Sequence, residues 1–456
     1  MTEASAPAPY GASISDGAGV PIPLVSAPYR RYALFILLCV YTVNFLDRQV
    51  VSILAEPIKN DLHIADWQIG MMTGVAFALF YTGLGLPIAR LAESVNRIWI
   101  ISAALTVWSA FTLACGLAQN FVQLVLARIG VGVGEAGCTP TAHSLIADYV
   151  PKENRASALA FFSIGTPLGG LLGLAMGGIV ADAYGWRTAF LLAGLPGLVF
   201  AVIVLGTLRE PRKALAAVQA RANAPGKGHF AATLRYLAGR RTFWFIAFGA
   251  AVLAFIGYGN APFTASFFFR NHPKEVAALA AHVGLKPAGF LGLALGMIGG
   301  TAGIISSWVG GFIADKAAAR DLRAYMSVPA IAAVLTPCFF ITAMLAPSAT
   351  TALGILILPG LLGSLWYGPV YATVQGLVPL QMRTTAASII LFIINLIGLG
   401  LGPLFVGGLS DILAGPVGLG SANGVRWALI CSSSLGVVAC ALFWMARKSI
   451  REEMVS

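Results

Sequence analysis

Four charged residues stand where an apolar sequence should carry none. Asp47 and Arg48 follow one another inside "YALFILLCVYTVNFLDRQVVSIL", and Arg128 and Glu135 lie in a second apolar run, "FVQLVLARIGVGVGEAG". Their formal charges sum to zero, which suits a mutually paired cluster. Each charge at the centre of a membrane costs roughly 2.5–3.5 kcal/mol on insertion scales, so such residues persist for a reason. The chemistry they offer is proton carriage. Burial favours the protonated form of a carboxylate and a neighbouring arginine the charged form, so a change of arginine partner loads or releases a proton. A fixed ionic scaffold is the rival reading. It is the weaker one, because buried ion pairs stabilise less than well-packed apolar residues.

The elements that must position these groups follow from composition. The chain has 456 residues, 58% hydrophobic and only 10% charged, with a mean hydropathy of +0.83. Ordinary soluble domains run at about 45–50% apolar and about 25% charged. A spanning helix needs about 20 apolar residues, and twelve such runs are expected near 32–54, 69–90, 98–118, 122–147, 157–181, 188–208, 242–269, 289–313, 325–346, 352–376, 385–410 and 426–446.

Basic residues set the orientation. They cluster in both tails and in the loops after even-numbered spans: Arg30 and Arg31, Arg90 and Arg97, Lys152 and Arg155, Lys316, Arg320 and Arg323, Arg383, and Arg447, Lys448 and Arg451. The long middle loop is the most basic of all. The positive-inside rule puts both termini and that loop in the cytoplasm, in a protein of the cell inner (plasma) membrane. Topology thus accounts for the net charge of +11, and no nucleic-acid partner is needed. The Pro-, Gly- and Ala-rich start, "MTEASAPAPYGASISDGAGVPIPLVSAP", reads as a disordered tail and not a signal peptide. The six cysteines all fall in spans, so neither disulfides nor a metal site is expected, and no cofactor.

Depth assigns the cluster. Asp47 lies 16 residues in from Arg31, about 24 Å. From the other face, Arg128 is about 10 Å and Glu135 about 21 Å past Phe121. Asp47 and Arg128 therefore share a height, with Glu135 nearer the middle. Arg128 and Glu135, seven apart, share a helix face, whereas Asp47 and Arg48 point about 100° apart. Asp47 is expected to face Arg128, and Arg48 the cavity or Glu135.

The chain repeats itself. "VPKENRASA" at 150–158 recurs as "VPLQMRTTA" at 378–386, "GGIVAD" at 177–182 as "GGLSD" at 407–411, and "ARLAESVNR" at 89–97 as "GGFIADKAAAR" at 310–320. The offsets lie close to half the chain and each copy lies on the same membrane side, so the halves are parallel repeats. The expected organisation is a tail, 1–30; a six-helix bundle, 31–208; a linker, 209–241; a second six-helix bundle, 242–447; and a tail, 448–456.

These motifs resemble the major facilitator superfamily: "GGFIADKAAAR" its loop signature, "RIGVGVGEAG" its fourth-helix signature, and "GWRTAF" its fifth-to-sixth turn. More narrowly, "NFLDR", "GVGEAGCTPTAHSLIADYVP" and "GLPIARLAE" resemble the bacterial type of the spinster branch of lysolipid and sphingolipid transporters. A neighbouring branch of organic anion symporters carries a similar first-helix stretch. The resemblance implies an all-α membrane fold of two pseudo-symmetric six-helix bundles that works by alternating access. It implies a proton site at Asp47, Arg48 and Glu135, to which depth adds Arg128. In the first loop signature Ala89, Glu93 and Ser94 depart from the superfamily pattern. The acid–base pairs Glu93 with Arg97 and Asp315 with Arg320 are the expected cytoplasmic gate, its first copy weakened.

The C-terminal half differs. From 242 to 313 and from 325 to 410 its spans carry no charge apart from Asp411, read as lying at a cytoplasmic end, and offer Tyr258, Asn260, Trp366, Tyr367, Tyr371, Gln375 and Asn395. As a set these suggest an apolar cavity wall with a few polar points. With Arg48, all but Gln375 are the candidate substrate contacts. His143 lies two turns beyond Glu135 and is a candidate relay. "GTPLGG" at 165–170 reads either as an antiporter signature or as a bending and packing device. No nucleophile elbow or phosphate loop is present, which argues against an enzyme. The expected function is proton-coupled transport of an amphipathic anion, lysophospholipid or sphingoid-like, by a monomer embedded in the bilayer. Symport of a small organic anion and passive lipid scrambling are the alternatives.

Overall fold

The computed structural model describes residues 14–15, 21–22, 26–151, 154–211, 229–379 and 382–454. The expected disordered tail lies mostly outside them; Ile14–Ser15 pairs antiparallel with Pro21–Ile22. The spans appear as α1 (Ala27–Leu62), α2 (two helices, Asp66–Thr73 and Val75–Ser94, meeting at Gly74), α3 (Arg97–Leu117), α4 (Phe121–Tyr149), α5 (Ser157–Tyr184) and α6 (Trp186–Thr207). The second half supplies α7 (Arg241–Asn271), α8 (Pro287–Ala318), α9 (Ala324–Met344), α10 (Ala349–Gly376), α11 (Thr385–Ala414) and α12 (Gly420–Glu453). Eleven of these are, among the described residues, single stretches long and apolar enough to cross a membrane. Large apolar side chains such as Trp308, Val202 and Leu117 face outward and exposed, as lipid-facing groups do.

Local chemistry sets several boundaries. Asn96, Asn120 and Ser348 accept hydrogen bonds from the amides of Ile98, Gln123 and Thr351, at 2.9, 3.0 and 3.2 Å, and so start α3, α4 and α10. Pro28 sits in the first turn of α1, where its missing N–H costs nothing. The end helices run further than the apolar pattern, from Ala27 and to Glu453. Once past the hydrocarbon a helix is limited by capping and no longer by hydropathy. Residues 212–228 of the linker lie outside the described residues, and His229–Ala238 forms a short helix.

Glycines then fix how the charged helices sit. Gly169, Gly173 and Gly177 of α5 lie one turn apart against Thr42, Leu46 and Val50 of α1, where a Cβ would meet those residues. Gly132 of α4 meets the Phe77 carbonyl of α2, while Gly130 and Gly134 meet Phe111 and Trp108 of α3. Small residues bring backbones together in this way, and they set the rotation of α1 and α4. Part of "GTPLGG" thus serves packing. Mid-span interruptions follow: α4 breaks at Ala136–Gly137, one residue past Glu135, and α11 carries a π-helical stretch, Ile394–Leu401. Such departures are tolerated where neighbouring protein or a cavity covers the freed backbone groups.

The end bearing the basic loops is termed the inner end, after the positive-inside rule. At the other, outer end the two halves close on each other along α2 with α11 and α5 with α8. Gly70 abuts Pro403 and Gly292 abuts Leu174, backbone against backbone. Nearer the inner end, Gly83 of α2 and Gly311 of α8 have open space beside them.

Candidate functional site

Arg48 Nε lies 2.5 Å from Glu135 Oε2, an ion pair joining α1 to α4. Glu135 is fully buried. The guanidinium of Arg48 stands over three rings, Phe45, Phe77 and Tyr81, at 5.2, 4.9 and 4.4 Å from their centroids. An aromatic cage of this kind holds a cation whether or not its carboxylate is charged.

Asp47, fully buried, turns away from its neighbour. Its Oδ2 accepts a hydrogen bond from Thr112 Oγ1 of α3 at 3.1 Å. The expected ion pair with Arg128 is not formed among the described residues. Arg128 is itself buried, its Nε and Nη1 make no hydrogen bond, and its guanidinium lies 5.3 Å from the Phe77 ring centroid. Depth was an insufficient premise. The rotation of α1 aims Asp47 at α3, and a height says nothing about rotation.

The cluster adjoins a cavity. A small cleft of about 50 Å3 is lined by Arg48, Arg128, Phe77 and Tyr258 among others. It shares Gln49, Ser52, Tyr258 and Ala261 with a larger cavity of about 460 Å3, within the range of small-molecule sites. Ile256, Leu295, Ile298, Phe340 and Leu356 give the larger cavity its apolar wall, and no charged residue lines it among those described. Of the candidate contacts, Tyr258, Asn260, Trp366 and Tyr367 line it. Asn260 Nδ2 also donates to Ser433 Oγ at 3.0 Å, so this residue ties α7 to α12 as well. Tyr371 stands behind Tyr367, ring on ring at 6.5 Å. Asn395 belongs to the π-helical stretch of α11 and lines neither space. His143 packs edge-on against Phe162 of α5 at 5.3 Å. The break at Ala136–Gly137 interrupts the phase that would have aligned it with Glu135.

The expected inner gate divides. Arg97 is wholly buried and paired within its own half, Nη2 with Asp148 at 2.7 Å and with Glu210 at 2.5 Å. The side chains of Glu93 and Asp315 lie outside the described residues, and Arg320 is exposed in the turn after α8.

Sequence reading missed a third cluster, because its residues looked like mixed loop charge. At the outer end Arg270 of α7 pairs with Glu56 of α1 at 2.7 Å and with Asp66 of α2 at 2.7 Å, joining the halves. Lys59 reaches Asp66 at 2.6 Å. Burial alone would raise the Asp66 carboxyl, but hydrogen bonds and charge from Arg270, with Lys59 beside it, hold it down at about 2. Asp411 also belongs to this end, not to the cytoplasmic one: it accepts from the amides of Asp66 and Trp67. An odd-numbered helix that starts inside must finish outside. The signal available in the sequence was Glu56 and Lys59 one turn apart near the end of α1, with Asp66 opening the next helix.

Residues 37–403 match the model of the Major Facilitator Superfamily. An MFS-type efflux pump of Mycolicibacterium smegmatis is 30% identical over 430 residues, covering 94% of this chain and 95% of its own. The hexuronate transporter of Bacillus subtilis is 27% identical over 379 residues, 81% of this chain and 85% of that one. Among solved structures, a bacterial homologue of the human lysosomal transporter Spinster, in an inward-facing and unoccupied conformation, superposes with a TM-score of 0.82 at 30% identity, covering 95% of this chain and 100% of the other.

Proposed function

The chain belongs to the major facilitator superfamily of transporters and resembles its spinster branch, and from that premise we propose that it moves an amphipathic anion across the membrane in a proton-coupled step. The substrate class is a lysophospholipid or sphingoid-like lipid. Both termini face the cytoplasm and a monomer suffices.

One observation carries this reading: Arg48 is paired to Glu135 at 2.5 Å and borders the cleft that adjoins the larger cavity. While Glu135 is charged, Arg48 is engaged. A proton on Glu135 removes the attraction and frees the guanidinium, still caged by Phe45, Phe77 and Tyr81, for an anionic headgroup. Proton and anion then favour each other's binding, and the coupling is reciprocal. Asp47, hydrogen-bonded to Thr112, is the second titrating group, and Arg128 is the cation to which a shift of α1 would bring it. The uncharged wall of the larger cavity accepts an acyl chain. The hexuronate relative favours a second reading, symport of a small organic anion.

Purified protein in liposomes with an imposed pH gradient tests both. Accumulation of lysophospholipid driven by the gradient, and lost in Glu135→Gln, supports the lipid reading. Accumulation of glucuronate alone supports the second. Gradient-independent movement of either would sink the coupling.

A further inference from the structure

The repeat of "GGIVAD" as "GGLSD" has a structural counterpart that the transport site does not use. Both copies contain a glycine followed four residues later by an aspartate: Gly178 and Asp182 near the end of α5, Gly407 and Asp411 near the end of α11. In both, the aspartate accepts hydrogen bonds from backbone amides at the start of a helix in the opposite half. Asp182 Oδ2 accepts from Gly289 N of α8 at 2.6 Å. Asp411 Oδ1 and Oδ2 accept from Asp66 N and Trp67 N of α2, at 3.1 and 2.8 Å. In both, the glycine lies one turn below, where a Cβ would strike the backbone of the capped turn, Ala288 for Gly178 and Asp66 for Gly407. The glycine lets the helices touch and the aspartate fastens the contact.

We propose that these two aspartates are a duplicated outer latch, one on each seam between the halves, whose breaking opens the transporter outward. The physical basis is that the first amides of a helix have no partner of their own and favour a negative charge. A carboxylate supplied from the other half satisfies them only while the outer ends are together. The copies are unequal. At the Asp182 copy, Lys286 Nζ adds one hydrogen bond to the Asp182 carbonyl at 2.9 Å. At the Asp411 copy, Ser410 Oγ donates to Asp66 at 2.7 Å, and Asp66 is in turn held by Arg270 and Lys59. The α2–α11 seam is therefore the stronger latch and the α5–α8 seam the weaker. Neither aspartate touches the cavity, so the latch acts on the balance of states and not on substrate contact.

The test is a distance across the outer face. Spin labels at Gln119→Cys and Val417→Cys, in the full chain with its six native cysteines replaced, report the separation of the two halves. Asp411→Ala is expected to raise the outer-open to outer-closed ratio roughly tenfold, the loss of two charge-assisted hydrogen bonds. Asp182→Ala raises it less, and the double variant most. If Asp411→Ala does not give monodisperse protein, Asp411→Asn, which keeps the shape and one acceptor, is read instead and must still shift the distribution. The proposal is overturned if both variants superimpose on the parent distribution, or if Asp182→Ala shifts it more than Asp411→Ala.

Discussion

Arg48 and Glu135 meet at 2.5 Å across the α1–α4 interface, while Asp47, the residue just before Arg48, is turned to Thr112 on α3. Two consecutive charges on one helix therefore serve two different interfaces. A rocking motion that moves α1 relative to either neighbour changes one environment and not the other.

Glu135→Gln is expected to abolish gradient-driven accumulation in liposomes, at least tenfold below the parent, while the protein remains folded. The glutamine keeps an acceptor for Arg48 but no longer titrates. Glu135→Ala goes further and strands a buried cation, a change that costs about 3–5 kcal/mol when no partner replaces it. Thermal unfolding in detergent separates the two. A glutamine variant that still concentrates substrate would place the coupling elsewhere.

The outer cluster should ignore physiological acidification. The Asp66 carboxyl is depressed in the folded chain to about 2, below the usual value of about 3.9. A depressed carboxyl contributes stability that is fully present above its unfolded value and is lost as pH falls through the folded one. In an Asp47→Asn/Glu135→Gln background, where the inner pair no longer titrates, the outer spin-label distance is expected to stay flat from pH 8 to 5. It should lengthen only below about pH 4. A transition near pH 6 in that background would refute the assignment.

Arg97 is expected to be a structural pin of the N-terminal half and not a moving gate. It is wholly buried, and its partners are Asp148 of the same bundle and Glu210 at the start of the linker that follows it. Arg97→Ala leaves two carboxylates facing each other and should destabilise by about 3–5 kcal/mol. Denaturation midpoints measure the loss, and the outer spin-label distribution of the surviving folded fraction should match the parent. An unchanged midpoint would return Arg97 to the gate.

Filling the cavity should sort substrates by size. Gly257 and Gly299 both line it, and a Cβ at either meets nothing within 4 Å. Gly299→Phe therefore projects a side chain into the cavity and takes up part of its volume. Transport of a long-chain lysophospholipid is expected to fall tenfold or more while a short-chain analogue is spared. Equal loss of both would mean that the acyl chain lies elsewhere.

The sequence by itself determined what is local or additive. Hydropathy and length set the spans, and loop arginines gave the expected orientation. The half-chain offset announced two bundles, and the membrane's aversion to charge singled out Asp47, Arg48, Arg128 and Glu135. Tertiary structure alone decided which charge meets which. Asp47 and Arg48 differ by one residue, and their partners are chosen by the rotation of α1, which the α5 glycines set through contacts more than a hundred residues distant in sequence. The pairing of Arg270 with Glu56 and Asp66 spans some two hundred residues and two bundles, so each residue alone reads as ordinary loop charge. Asp182 and Asp411 were legible as a repeat but not as caps. A cap exists only when a helix from the other half brings its unpaired amides to the carboxylate, and that is a property of how the bundles meet.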